Sequence, residues 1–291
     1  MGMSRLTWGA MADQPWGFLV IDKPAGLSSH GCVSRVRRAY GLRRVGHGGT
    51  LDPAVTGVLP IALGTATRLL PYLCGDKTYR GEVQLGVSTS SDDLQGEVLE
   101  RRPVPALEAA AIDAALSRFR GVISQVPPQV SAVHVDGQRA YQRVRRGETL
   151  SLAPRPVRID RLELLGWDPA RARLQLEVSC SAGTYIRSLA RDLGALLGSG
   201  GALASLRRTA ALGFSLEQAV PLEALEQLTP PALLEPLAAL AHLPRQRLGP
   251  EQLAGWRCGR RLDAGPPGGS ALSVGQAVVV VTADGNLAGM A

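Results

Sequence analysis

Two periodicities divide this chain. From Tyr79, the residues Tyr79, Gly81, Val83, Leu85 and Val87 alternate with Arg80, Glu82 and Gln84, and a second alternation runs through Leu174, Leu176, Val178 and Cys180. A period of two puts every second side chain on one face, so each segment predicts a half-buried strand. Spacings of three and four predict amphipathic helices: Val33, Val36 and Tyr40 after a cap at Ser28 and Ser29, then Ile186, Leu189, Ala190 and Leu193. A further strand is expected over 17–21, closed by the Asp22-Lys23-Pro24 turn, and a further helix near 107–119.

Where periodicity fails, loops are expected. Residues 1–15 read as a loose tail. The segment 127–152 opens Pro127-Pro128, contains Asp136-Gly137 and reads as a long, mobile, arginine-rich insertion. Near Pro244 the pattern changes to loops and short strands, ending in an apolar run at 278–281 and the hairpin signal Asp284-Gly285. The expected organisation is a main domain over 16–243 and a small β-rich domain over 244–291.

With a hydrophobic fraction of 45% and a charged fraction of 20%, the composition is that of a soluble globular protein. No apolar run reaches the roughly 18 residues that cross a bilayer, and the opening residues lack a secretory signal, so the cytoplasm is the expected location. Cys32, Cys74, Cys180 and Cys258 lie far apart, with neither a C-x-x-C pair nor a histidine at ligand spacing. No disulfide framework and no metal site is expected.

Charge adds a partner. The net charge is +7, and only Lys23 and Lys77 are lysines, so nearly all the positive charge is guanidinium, which grips phosphates bidentately and stacks on bases. Arginines cluster at 35, 37, 38, 43 and 44, at 139, 143, 145 and 146, and at 155, 158 and 161, and no acidic residue falls between Asp22 and Asp52. A basic stripe of this kind points to a polyanion.

The densest motif is Gly46-His47-Gly48-Gly49-Thr50-Leu51-Asp52-Pro53-Ala54-Val55-Thr56-Gly57-Val58-Leu59-Pro60. Its glycines allow close backbone approach, and Pro53 sets the turn after Asp52. It is neither a P-loop nor a dinucleotide fingerprint. Taken alone, Asp52 reads first as a turn-former.

A resemblance changes that reading. GFLVIDKP over 17–24, GLSS over 26–29, the 46–60 motif, Lys77-Thr78-Tyr79-Arg80 and Gly183-Thr184-Tyr185-Ile186-Arg187 stand in the order and spacing of the TruB family of tRNA pseudouridine synthases, across roughly residues 17–220. The chain resembles that family. The resemblance implies an α+β pseudouridine synthase fold: a central mixed, largely antiparallel sheet with flanking helices, an RNA-binding cleft and a C-terminal PUA-like module. It implies isomerisation of the T-loop uridine of tRNA, at the position numbered 55, without metal, cofactor or obligatory protein partner.

The same resemblance assigns roles. Asp52 matches the catalytic aspartate, which attacks the sugar or takes a sugar proton while the C1′–N1 bond breaks and C5 replaces N1. Arg187 matches the arginine that pairs with it and keeps it ionised. Tyr79 matches the tyrosine that stacks on the flipped uracil and helps remove its C5 proton. His47 matches the residue that fills the vacated base stack. Lys23, Tyr185, Leu206 and Arg207 match pocket segments, Lys23 with a structural role as the alternative.

The chain departs from the family pattern in three places. Gly48 stands where threonine is usual, which predicts a looser loop around His47. Thr89-Ser90 replaces the usual Thr-Asp pair, leaving Asp93 as the match to a second aspartate. The C-terminal segment is short for a full PUA module. Rival readings are a guide-RNA-dependent synthase of the dyskerin type, an RNA-binding or RNA-folding module without chemistry, and a hydrolase with an aspartate nucleophile. The presence of Asp52, Tyr79 and Arg187 together argues against the second. The lack of a metal cluster or paired carboxylates argues against the third.

Overall fold

Phe18, Leu19, Val20 and Ile21 follow one another without a polar break, a run suited to a strand covered on both faces. The strand forms over Gly17–Lys23 with all four side chains buried, and Ala219–Pro221 pairs with it in parallel. This is a computed structural model, and it describes residues 6–7, 14–131, 133–135, 137–144, 146–261 and 275–291. The chain divides into two compact units: Met1–Asp52, Leu59–Cys74 and Leu212–Ala291 form one, Pro53–Val58 and Gly75–Ala211 the other.

In the first unit the Gly17–Lys23 strand leads into the helix Ser29–Tyr40. Ser28 is its N-cap, accepting a hydrogen bond from the Gly31 amide at 3.0 Å, and Gly41 ends it at φ +64°. Cys32, Val33 and Val36 face inward. Arg37 and Arg38 sit in the last turn, where cations favour the helix dipole. The strand Val45–His47 pairs antiparallel with the far half of Thr56–Leu63, His47 opposite Ile61.

A separate four-stranded sheet closes this unit, in the order Leu6–Thr7, Leu287–Met290, Val279–Val281, Arg245–Arg247. Leu248, Trp256, Val280 and Ala288 form its core. The hairpin turn falls at Asp284-Gly285, with Gly285 at φ +85°. Within the expected loose tail, Leu6–Thr7 pairs with the last strand; residues 1–5 and 8–13 lie outside the described residues.

The second unit is built on antiparallel neighbours in the order Gly201–Ala211, Lys77–Leu85, Arg173–Cys180, Arg155–Asp168, Gly121–Gln125. Gly201–Ala211 also meets Thr56 and Gly57 in parallel. Sheets of mixed direction with helices packed on them make this an α+β fold, as the resemblance implies. The expected alternation holds at Tyr79, Val83 and Leu85, which are buried. Val87 belongs to a short strand of its own, Val87–Thr89, because Gly86 turns the chain at φ +82°. The helices form over Ala109–Ser117 and Ile186–Leu196.

The segment 127–152, expected to be a mobile insertion, carries structure of its own. His134–Val135 and Gln138–Arg139 pair, the helix Ala140–Val144 follows, and Ala140, Leu150 and Leu152 make a small core. Asp136 and Arg145 lie outside the described residues. Arg143 and Arg146 both grip Glu148, at 2.6 and 3.2 Å. Likewise Arg158 meets Asp76 and Asp160, and Arg161 meets Glu163 and Glu177. On the helix Ser29–Tyr40 and its C-terminal loop, Arg35, Arg38 and Arg43 are exposed and meet no acidic partner among the described residues, and the same holds for Arg155 in the third cluster.

Candidate active site

Residues 46–52 of the motif are held from inside the first unit. Ser29 is buried at the start of its helix, and its hydroxyl accepts from the Leu51 amide at 2.8 Å and lies 3.1 Å from the Leu51 carbonyl. Both backbone groups of the residue before Asp52 are thus tied down. Asp52 itself is exposed, with Pro53 after it. Lys23 is fully buried, and its ammonium donates to the carbonyls of Pro24 and Leu27 at 2.8 and 2.6 Å. Burial pulls the Lys23 pKa down, while Cys32 and Asp52 pull it back up. Lys23 is thus a structural tie of the Asp22-Lys23-Pro24 turn and also shares a local field with Asp52.

His47 is half-buried, and its Nδ1 accepts from the Gly49 amide at 3.3 Å, which assigns the ring proton to Nε2 in the neutral form. The looser loop expected from Gly48 is not what the packing shows. A Cβ at Gly48 would lie 2.1 Å from Leu212 Cδ1 and 3.3 Å from Leu70 Cδ2, so Leu212 already occupies the space a threonine would need. Leu212 reaches there from a left-handed backbone at φ +58°. Gly48→Thr is expected to destabilise the protein by about 1–3 kcal/mol through overpacking. Combining it with Leu212→Ala should recover part of that loss, and a denaturation double-mutant cycle measures the coupling. Strictly additive effects would separate the two residues.

The second unit carries the remaining candidates. Arg187 lies in the first turn of the helix Ile186–Leu196 and is only 8% exposed, not a surface residue of an amphipathic helix. Its guanidinium donates to the carbonyls of Ser91 and Val130, both at 3.0 Å, and Nε lies 3.7 Å from Asp93 Oδ2. Asp93 is oriented in turn by the Ser91 hydroxyl at 2.7 Å and the Gln95 amide at 3.0 Å on Oδ1. Tyr185 is half-buried; its amide donates to Gln125 Oε1 at 2.9 Å and its carbonyl accepts from Gln125 Nε2 at 3.1 Å.

Tyr79 is buried on the inner face of its strand, opposite Arg208 in register. Leu206 stands opposite Gly81, half-buried, and Arg207 reaches Thr56 Oγ1 at 3.4 Å. Gly57 explains part of the motif's glycine content: at φ +102° its Cβ would fall 2.1 Å from the Arg208 carbonyl, so only glycine allows the two strands to meet there. Two buried polar residues, Gln125 and Arg208, are absent from the candidates drawn from the sequence. Gln125 gives no local signal. Arg208 gives one, since a period of two places Arg208, and not Arg207, on the inward face of its strand.

A model of the TruB family pseudouridylate synthase N-terminal domain matches residues 37–186, and one of the tRNA pseudouridylate synthase B C-terminal domain matches residues 187–250. The chain belongs to the TruB family. Among the family's bacterial members it is 65% identical over 280 residues to tRNA pseudouridine synthase B of Parasynechococcus marenigrum, covering 96% of this chain and 93% of that one. It is 50% identical over 251 residues to tRNA pseudouridine synthase B of Gloeobacter violaceus, covering 84% and 86%. Among solved structures, a Cbf5-Nop10-Gar1 complex matches with a TM-score of 0.72 at 27% identity, over 93% of this chain and 76% of that one. As a TruB member the chain is an isomerase that makes pseudouridine from uridine in tRNA.

Proposed function

We propose that the uridine it isomerises is the one in the T loop, at the position numbered 55, and that Asp52 carries the chemistry. The observation behind this reading is the clamp on Leu51: an exposed carboxylate projects from a backbone whose neighbouring amide and carbonyl are both held by a buried serine. Such preorganisation suits a group that must meet a sugar carbon in one geometry.

In this reading the uridine leaves its stack, at a cost of a few kcal/mol, and His47 fills the gap. Asp52 acts on the sugar as the C1′–N1 bond breaks, the step for which the family resemblance also calls on Arg187. The uracil turns, and C5 bonds to C1′ while N1 becomes doubly bonded to C6. Tyr79, stacked on the base, takes the C5 proton; the C5–H pair returns to the C5–C6 bond, and N1 accepts a proton from water. Lys23, Tyr185, Leu206 and Arg207 shape the pocket. The small C-terminal sheet serves as the PUA-like part of the grip on tRNA, and the reaction takes place in the cytoplasm. Relatives at 50–65% identity that bear a tRNA synthase name favour direct action on tRNA over the guide-RNA alternative.

Mass-spectrometric mapping of pseudouridine in a T stem-loop incubated with the pure protein tests this. Pseudouridine elsewhere, or only with an added guide RNA, refutes it. Binding offers a second check. Neutralising Arg35, Arg38 and Arg43 to glutamine should flatten the dependence of log K on log salt by about 0.7–0.9 for each phosphate no longer neutralised. Replacing Arg143 and Arg146, already committed to Glu148, should change it less. Filter binding across a salt series distinguishes the two, and equal slopes for both variants would relocate the electrostatic footprint.

A further inference from the structure

Arg208 is the largest fully buried side chain among the described residues, and none of the reaction steps above uses it. An arginine keeps its charge when buried, so its burial is costly unless the charge is used. It stands directly across from Tyr79 in the antiparallel pair of Gly201–Ala211 with Lys77–Leu85, which puts both side chains on one face. Its Nε donates to the Val58 carbonyl at 2.7 Å, fixing the guanidinium plane, and a side-chain hydrogen bond joins it to Tyr79.

We propose that Arg208 is a positioning residue for the isomerisation: it holds the Tyr79 ring through the hydroxyl and stabilises the phenolate that accepts the C5 proton. This rests on the proposed role of Tyr79. A neutral phenol is a poor base near neutral pH, since tyrosine ionises only around pH 10. A guanidinium donating to the oxygen favours the charged form, and does so more strongly away from water. The proton then moves from C5 to the Tyr79 oxygen, and the resulting phenol, no longer an anion beside Arg208, returns it to water.

Other ionisable groups border the same strand. Lys77 lies two residues away on it, and burial followed by the charge of Arg208 lowers its pKa. Cys180, opposite Lys77, is pushed up to about 11 by burial and stays a neutral thiol below that. The helix Ile186–Leu196 packed on the sheet carries Arg187 and Arg191, the latter paired with Asp92 and Asp192. Lys77 is therefore the competing source of a pH effect, and the test must isolate the phenol.

Ultraviolet titration of the unmodified protein against Tyr79→Phe isolates the ionisation of this one tyrosine without touching Arg208. Ionisation at least tenfold more favourable than for a free tyrosine is expected, and ionisation at or above the ordinary value overturns the proposal. Single-turnover rates across pH give the second arm. In Arg208→Gln the rising limb should move to higher pH with tRNA affinity unchanged, and Arg208→Lys should restore part of the shift. In the Tyr79→Phe background Arg208→Gln should have no further effect on the profile. A uniform fall in rate with an unmoved limb, repeated in that background, assigns Arg208 to folding alone. If Tyr79→Phe by itself leaves the rate intact, the role of Tyr79 fails instead, and the two failures are distinct.

Discussion

Asp52→Asn should leave a folded protein that binds tRNA and makes no pseudouridine. The substitution keeps the size of the side chain and part of its hydrogen-bonding shape while removing the charge and the nucleophilic oxygen pair. Asp52 is exposed, and the turn beneath it is held by Ser29 through Leu51, so the fold should survive loss of the charge. Phosphate contacts carry most of the affinity in protein–nucleic acid complexes, so binding of tRNA should not change. The single-turnover rate should fall to below roughly one ten-thousandth of the unmodified protein's, the scale on which loss of a nucleophile acts in other enzymes. Thermal unfolding, filter binding and quantified pseudouridine yield separate these effects. A folded, tRNA-binding Asp52→Asn protein that still converts the uridine at near the original rate would remove Asp52 from the chemistry.

Ser29 shows where reading the sequence stops. A Ser28-Ser29 pair before an amphipathic pattern reads as a cap, and Ser28 is the cap; the task of Ser29, tying down Leu51, spans 22 residues and leaves no local period. Helices and strands are legible because burial imposes a repeat on neighbouring residues: Val33 and Val36 on one helix face, Tyr79, Val83 and Leu85 on one strand face. The segment 127–152 is harder. Its small core joins Ala140 to Leu150 and Leu152, and Gln129 binds both backbone groups of Leu150, contacts between residues that no short window contains.

Charge misleads for the same reason. Counting arginines predicts three basic clusters, but a count does not say what each guanidinium faces. Glu148 pairs with Arg143 and Arg146, and Asp76, Asp160, Glu163 and Glu177 pair with Arg158 and Arg161, whereas Arg35, Arg38 and Arg43 on the first helix and the loop after it face no carboxylate among the described residues. The candidate site has a similar division. The motifs assign roles to Asp52, Tyr79 and Arg187, whereas the contacts around them are made by Ser29, Arg208 and Asp93, whose partners in the fold no motif states.

Arg187 should be the most sensitive position after Asp52, and its two substitutions should fail differently. Arg187→Ala removes two hydrogen bonds to carbonyls and leaves Asp93 beside an empty space, so a stability loss of about 3–5 kcal/mol is expected, as for other broken buried pairs. Arg187→Lys keeps a charge, but one ammonium cannot reproduce a planar fork that serves Ser91, Val130 and Asp93 at once. That variant should fold and bind tRNA, while turnover falls by about 10²–10³-fold, the usual effect of removing one preorganised charge from a reacting centre. Asp93→Asn tests the support behind it. Asn can keep an oxygen toward Ser91 and the Gln95 amide but turns an NH₂ group toward Arg187, which weakens the hold on the guanidinium without adding bulk. Its rate should fall in the same direction as that of Arg187→Lys, with tRNA affinity unchanged, and the double substitution should cost less than the product of the two. Single-turnover kinetics beside binding isotherms measure all three variants, and an Arg187→Lys protein with full turnover would show that the fork serves folding and not the reaction.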